Sequence, residues 1–367
     1  MVGKFLSALL LAVIPPVALA GGIDRSGQGL GALFEPGRYF EASISHVSPR
    51  VRGNDLLGGS TNDVAGNYFV PTLSVKLDAN EQLSFAVLVD QPYGGDILYG
   101  EGSSLLGGTR VDVASHALLG LTRYRFDENF SVHAGLRVQN SSGMVRLKGL
   151  AYGAVSGYEV RLASNTASGP VVGATFEIPA IALRISASYH DAIKHRFATR
   201  ETAPLLPLNG TSTTEISTPR AVNLDFQTGI TDSTLLFGRV RWVKWSEFRV
   251  DPALFLAVTG EGLIELKNTS TYTLGLARQF SKHWGGAISV DYEERGDPLS
   301  SPLSPVNGRK GVILAVIYGW NRAKITAGMS YTKLGNAALE TGTPDVQRAS
   351  MSGNSSLGFG LSFGTSY

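Results

Sequence analysis

The chain has 367 residues, no cysteine, 44 glycines, and a net charge of +2 from 32 basic and 30 acidic side chains with no run of one sign. That balance gives no reason to expect nucleic acid as a partner, and without cysteine a disulfide framework is excluded, so stability must come from extensive pairing or a large core. After Ala20 nothing approaches a transmembrane helix, so a membrane location requires a β-barrel.

Lys4, the apolar stretch Phe5 to Ile14, Pro15-Pro16 and Ala18-Leu19-Ala20 follow the order of a secretory signal peptide, with cleavage expected after Ala20. Residues 1–20 are therefore read as the signal peptide, 21–37 as a separate segment and 38–367 as the main domain. Gly21 to Gly37 is glycine-rich and has no strand alternation; it either tucks into a lumen or forms a free terminus.

From residue 38 onward the chain alternates with a period of two. Phe40, Ala42 and Ile44 oppose Glu41, Ser43 and Ser45; Leu73, Val75 and Leu77 oppose Thr72, Ser74 and Lys76, and Leu83, Phe85, Val87 and Val89 follow a tight turn. Val132, Ala134 and Leu136 alternate with His133 and Arg137, Ile185 and Ala187 with Arg184 and Ser186, Leu224 and Phe226 with Asp225 and Gln227, and Val290 and Tyr292 with Asp291 and Glu293. Thr109 to Phe126 alternates poorly because Leu118, Leu119 and Leu121 break the period, and Gly153 to Ser164 has the composition of an extra strand pair above the main body.

Tight links fall at Asp78 to Glu81, Asp127 to Asn129, Pro179-Ala180, Thr231 to Ser233, Ser281 to His283 and Asn321-Arg322. Between them lie Arg52 to Gly66, Tyr93 to Gly108, Gly143 to Ser168, Ile193 to Thr218, Arg249 to Lys267, Arg295 to Arg309 and Leu334 to Gly353. Short and long connections strictly alternate, which predicts an all-β fold: a 14-stranded antiparallel transmembrane β-barrel, with both mature termini on the short-turn, periplasmic side. Tyr124, Phe126, Trp242, Trp245, Trp284, Tyr318 and Trp320 suit interfacial girdles. The last stretch alternates Leu357, Phe359, Leu361 and Phe363 with Gly358, Gly360, Ser362 and Gly364 and carries no charge. Its end at Tyr367 resembles the signal by which outer-membrane barrels meet their assembly machinery, an expected partner together with outer-membrane lipopolysaccharide and phospholipid.

The long connections are unexpectedly apolar. Leu147, Leu150 and Tyr152 lie in the third, Leu205, Leu206 and Leu208 in the fourth, and Leu254, Phe255, Leu263 and Ile264 in the fifth; such loops either capture an apolar ligand or pack on each other as a cap. Chemistry is not expected. His190, Asp191 and His195 are spaced like metal ligands, but adjacent strand residues point to opposite faces, and His46 with Ser48 lacks a third catalytic partner. No enzyme activity, cofactor or metal is predicted.

Ser26-Gly27, Gly29-Leu30-Gly31-Ala32, Gln91-Pro92-Tyr93-Gly94 after the third strand and Thr218-Pro219-Arg220 entering the eighth make the whole mature chain resemble the FadL-like transporters of the Gram-negative outer membrane (OmpP1/FadL/TodX type). The resemblance implies passive transport of long-chain fatty acids or other small hydrophobic molecules. It implies a luminal plug that includes Ser26, Gly29, Leu30, Leu33 and Phe34. Ligand capture falls to the third and fourth long loops, through Leu147, Leu150, Tyr152, Leu205, Leu206 and Leu208. A lateral exit is implied along the strand Leu83 to Pro92, around Val89, Pro92 and Gly94. The family's plug is usually longer, with an Asn-Pro-Ala-type element that this chain lacks. A general porin and a surface adhesin are the alternatives.

Overall fold

The computed structural model describes residues 23–206, 208–342 and 344–367. The expected cleavage after Ala20 lies outside them. Seventeen hydrogen-bonded segments form 14 strands, because three strands are each interrupted once. They are β1 (Tyr39–Arg50), β2 (Tyr68–Asp78), β3 (Leu83–Asp90, continued as Gly94–Leu98), β4 (Arg110–Arg125), β5 (Phe130–Arg146) and β6 (Glu159–Ile178). Then come β7 (Leu183–His190, continued as Lys194–Ala203), β8 (Leu208–Ser217, continued as Ala221–Thr231), β9 (Thr234–Val243) and β10 (Thr269–Gln279). The last four are β11 (Trp284–Glu293), β12 (Arg309–Trp320), β13 (Ala323–Leu334) and β14 (Ser355–Ser366). Each is antiparallel to the next, and β1 pairs with β14 from Tyr39↔Ser366 to Arg50↔Ser355. Closure pairs the first strand with the last, so the sheet has no terminal edge strand.

The pleat sorts the side chains. On β12, Val312, Leu314, Val316 and Tyr318 point outward and are exposed, while Arg309, Ile313, Ala315 and Ile317 are buried inside. The same division on every strand produces an outward apolar band with Tyr272, Tyr292 and Tyr331 toward one end and Phe130, Trp284 and Tyr318 toward the other. In water so large an apolar surface would associate; in a bilayer it is the lipid face of a spanning barrel, with aromatics at its margins.

Connections at one end are short, at residues 79–82, 126–129, 179–182, 232–233, 280–283 and 321–322. Those at the loop end differ from expectation in three ways. The second, third and fourth long connections shrink to residues 99–109, 147–158 and 204–207, because β3 to β8 run on past the apolar band as paired strands. The expected extra strand pair within Gly153 to Ser164 is in fact the beginning of β6, preceded by a 3-10 segment, Leu150–Val155. Four short strands, Gly53–Asp55, Leu299–Ser300, Ala337–Thr341 and Val346–Met351, form a rim sheet where only loops were expected.

Two further expectations are corrected. The poorly alternating Thr109 to Phe126 is one strand, β4, whose Leu119 and Leu121 point inward because Leu30 and Leu33 pack on them, while Leu118 faces out. Trp245 is no girdle residue: it is buried inside against Tyr93 and Phe248.

Candidate functional site

Residues 23–35 lie inside the barrel, a segment called the hatch below for its position, and each predicted plug residue has a contact there. Ser26 Oγ donates to Asp90 Oδ2 at 2.7 Å, and Arg137 Nη1 donates to Asp90 Oδ1 at 3.0 Å. A Cβ on Gly29 would press on the Arg239 guanidinium. Leu30 and Leu33 pack on Ala86, Leu88, Leu119, Leu121 and Val171. Phe34 is held between two guanidiniums, 4.8 Å from Arg123 and 4.6 Å from Arg184, a geometry in which the ring quadrupole attracts both cations. The hatch ends where Lys76 Nζ donates to the carbonyls of Glu35 and Gly37 and Lys324 Nζ meets Glu35 Oε1 at 2.7 Å.

Most of the remaining inner charge is paired as well. Arg239 Nε donates to Asp225 Oδ1 at 2.6 Å, Arg184 Nη2 to Gln227 Oε1 at 2.9 Å, and Arg309 lies between Asp291 and Glu293. His190 points inward, whereas Asp191 binds Arg220 on the other face, so the two do not share a site. The His46 ring lies 4.7 Å from that of Phe69, tilted by 44°, on the outer surface.

The wall itself is incomplete beside the hatch. β2 pairs with β1 as far as Tyr68↔Val47, but with β3 only from Asp78↔Ser84 to Leu73↔Val89, so Phe69 to Thr72 have no ladder partner on the β3 side. β3 breaks where Gln91, Pro92 and Tyr93 face only Ser115 and His116 of β4, a bulge of one extra residue. Ser115 Oγ satisfies the bulge by accepting from Tyr93 N and donating to Tyr93 O. Toward the loop end the gap is closed again by the bridge Ala65↔Ile97.

The hatch is tied to this bulge. Arg25 N donates to Pro92 O at 2.9 Å and Gly94 N to Ile23 O at 2.8 Å, while the Arg25 guanidinium lies 4.2 Å from the Tyr68 ring. Any Cβ at position 94 would collide with that guanidinium, which accounts for the glycine. Gln28 Nε2 donates to Tyr93 OH, and Asn223 Nδ2 to the carbonyls of Gly27 and Gln28. The predicted exit residues therefore meet at one place: Val89 at the lower edge of the gap and lipid-facing, Pro92 and Gly94 holding the hatch.

Three of the cavities among the described residues bear on this arrangement. A mouth cavity of about 1280 Å³ lies among the connections at the loop end, walled by Leu147, Tyr152, Phe255, Leu263, Ile264 and Leu303 together with charged residues such as Glu261 and Lys267. Behind the hatch, a cavity of about 130 Å³ faces the small inner side chains Thr271, Thr273, Ala287 and Ser289 of β10 and β11. On the opposite side of the hatch a cavity of about 70 Å³ touches Ser26, Thr72, Val89 and Asp90, at the lower edge of the wall gap.

The six predicted capture residues separate. Leu147 (4% exposed) and Tyr152 line the mouth cavity, and Leu206 packs on the apolar cluster beneath it. Leu150 (71%) and Leu205 (65%) turn away from it to the exterior. Leu208 begins the outer segment of β8. The larger apolar share comes from the fifth and sixth connections, through Phe255, Leu263 and Leu303. Phe255 is placed by Glu201, a buried carboxylate on β7 that accepts from Leu254 N, Phe255 N and Tyr158 OH, and so caps the short helix Ala253–Thr259 from another element. Apolar loop composition was the available signal; nothing in sequence spacing links residue 201 to residue 255.

A family model described as outer membrane protein transport protein (OMPP1/FadL/TodX) matches residues 39–357. No curated protein sequence matches the chain. Among solved structures, a Pseudomonas aeruginosa FadL homologue is similar with a TM-score of 0.74 at 17% identity, covering 91% of each chain. The toluene transporter TbuX of Ralstonia pickettii gives 0.64 at 13% identity over 92% of this chain and 91% of that one. The P. putida toluene transporter TodX gives 0.63 at 13% over 92% and 94%. At these identities the likeness speaks for the fold.

Proposed function

Since the chain belongs to the outer membrane protein transport protein family (OMPP1/FadL/TodX) of hydrophobic-compound transporters, we propose that it is a passive channel that captures small hydrophobic molecules at the mouth cavity and releases them sideways, between β2 and β3, into the bilayer. In this reading the loop end faces the exterior and the short turns the periplasm. The observation that carries it is the stretch Phe69 to Thr72, which lacks a ladder on the β3 side beside the β3 bulge, with an internal cavity at its edge.

The physics requires no energy source. Phosphorylated glycolipid slows greasy solutes, and a water-filled pore offers them no favourable contact. Apolar cavity walls replace hydration at about 0.8 kcal/mol per buried CH₂, and release into acyl chains is downhill. Size favours compact cargo. An apolar cavity of about 150 Å³ holds benzene; the space of about 130 Å³ is near that size, while the one of about 70 Å³, lined by Glu41, Asp90 and Arg137 beside Leu88 and Val89, admits a single ring only as its walls give way. A long-chain fatty acid fits the mouth cavity but passes only if the hatch shifts. Two structural relatives are toluene transporters, which agrees with a compact cargo.

The test is uptake of labelled toluene and oleate by cells producing the wild type or Thr72→Trp, which fills the cavity at the gap. Faster toluene uptake with the wild type, lost in the variant, supports the proposal. Rapid liposome swelling with small sugars and no effect on hydrocarbon uptake would instead identify a general porin.

A further inference from the structure

Along one hydrogen-bonded row on the outer surface, Tyr292 of β11 is opposite Lys310 of β12, Lys310 opposite Lys333 of β13, Lys333 opposite Ser355 of β14, and Ser355 opposite Arg50 of β1. All three cations point outward and are exposed. The row one step further toward the apolar band is Val312, Tyr331, Leu357 and Ser48, so the cations lie at the loop-end margin of the membrane face. We propose that Lys310, Lys333 and Arg50 form a docking site for the phosphorylated head group of lipopolysaccharide in the outer leaflet.

Three features point to an anionic lipid. First, Lys310 and Lys333 are directly opposite like charges, an arrangement that weakens a sheet unless an anion bridges them. Second, none of the three is ion-paired to a carboxylate among the described residues, and Lys310 Nζ has only the Tyr292 ring, at 5.6 Å. Other cations beyond the band at this end do have such partners: Arg146 with Glu159, Arg196 with Glu215, Lys148 with Glu101 and Lys267 with Asp297. Third, the ammonium groups stand where long basic side chains reach lipid phosphates while their stems cover apolar surface.

Spacing selects among lipids. Strands lie roughly 4.8 Å apart, so the row extends roughly 14 Å from Lys310 to Arg50 with the Ser355 hydroxyl between. One phosphate reaches the lysine pair or the arginine, not both. A disaccharide head group bearing two phosphates reaches both, and its acyl chains would then lie on Leu314, Met329, Leu357 and Phe359, which are exposed below the row. The proposal uses the orientation adopted above but not the identity of the transported compound.

Delipidated full-length protein titrated with deep-rough lipopolysaccharide, its dephosphorylated form or phosphatidylglycerol, and read by native mass spectrometry, tests the site. Lys310→Gln/Lys333→Gln should weaken lipopolysaccharide binding about thirtyfold and Arg50→Gln alone about fivefold. Lys282→Gln, at the turn end, should not change it. Dephosphorylation, which also removes the partner of Arg50, should weaken wild-type binding more than the double substitution does. Equal binding by wild type and both variants, or phosphatidylglycerol binding as tight as lipopolysaccharide, would overturn the proposal. Heat-dependent gel mobility establishes that each variant is folded, and hydrocarbon uptake, which does not use this face, should stay at wild-type level.

Discussion

Asp24 in the hatch and Arg241 on β9 form a buried ion pair, Nε to Oδ2 at 2.7 Å, and the preceding residue, Ile23, accepts the amide of Gly94 on β3. Two adjacent hatch residues thus connect the wall at β9 to the bulge beside the gap. Arg241 also donates to Asn223, which donates to the hatch carbonyls of Gly27 and Gln28.

Removing one partner of a buried pair leaves the other charge uncompensated, at about 3–5 kcal/mol. Asp24→Ala should therefore release the hatch without unfolding the barrel, whose ladders do not involve residue 24. Liposome swelling with small polar solutes should rise severalfold while thermal unfolding in detergent stays nearly unchanged. Swelling equal to wild type would show that the hatch is retained by its other bonds.

Gly94→Val should have a different signature. The added side chain displaces the Arg25 guanidinium from the Tyr68 ring and separates Ile23 from the bulge. Hydrocarbon uptake should change strongly, whereas the lipid-facing substitution Val87→Leu on the same strand should have little effect. Equal uptake for Gly94→Val and wild type would detach the bulge from the transport route.

Glu201→Ala removes the acceptor that places Phe255 at the mouth. Two helix amides and Tyr158 OH lose their partner, and the short helix should loosen. Apparent affinity for hydrocarbon should fall about tenfold with the maximal rate preserved, the pattern of a lost capture surface. Leu206→Asp should act in the same direction more strongly than Leu205→Asp, because Leu206 packs on the apolar cluster and Leu205 is exposed.

The rim sheet carries a pH dependence. Burial, then the hydrogen bond and charge of Asp345 and the charge of Glu261, push the Glu340 carboxyl up to about 7. An unfolded glutamate titrates near ~4.3, so the folded rim favours the protonated form. That contribution is complete below the unfolded value and is lost as pH rises through about 7. Amide exchange in Ala337–Thr341, corrected for intrinsic rates, should be slower at pH 5 than at pH 8, and Glu340→Gln should abolish the difference.

What the sequence revealed follows the physics of the pleat. Strand number, the inner placement of His133, Arg137, Arg184, Asp225, Gln227, Asp291 and Glu293, and the outward Leu357 to Phe363 all follow from a period of two. The failures occur where a second surface enters the barrel. Leu119 and Leu121 defied alternation because the hatch gives them an apolar neighbour, and Trp245 is inside because Tyr93 occupies the same level. Strands continuing past the bilayer looked like loops, since their inner face packs on the fifth connection rather than lining water. The gap between β2 and β3 was foreshadowed only by the family resemblance carried by Gln91-Pro92-Tyr93-Gly94; its extent is a matter of register between strands, which composition does not encode.

The central claim is that hydrophobic cargo leaves the protein between β2 and β3. Photolabelling the membrane-reconstituted protein with a toluene-sized diazirine and mapping the adducts by mass spectrometry tests it most directly. Adducts at Thr72, Val89 and Asp90 are expected, reduced by Thr72→Trp. Adducts confined to Leu235 and Ala277, on the inner wall near the short turns, would place the exit through the periplasmic end and contradict the account.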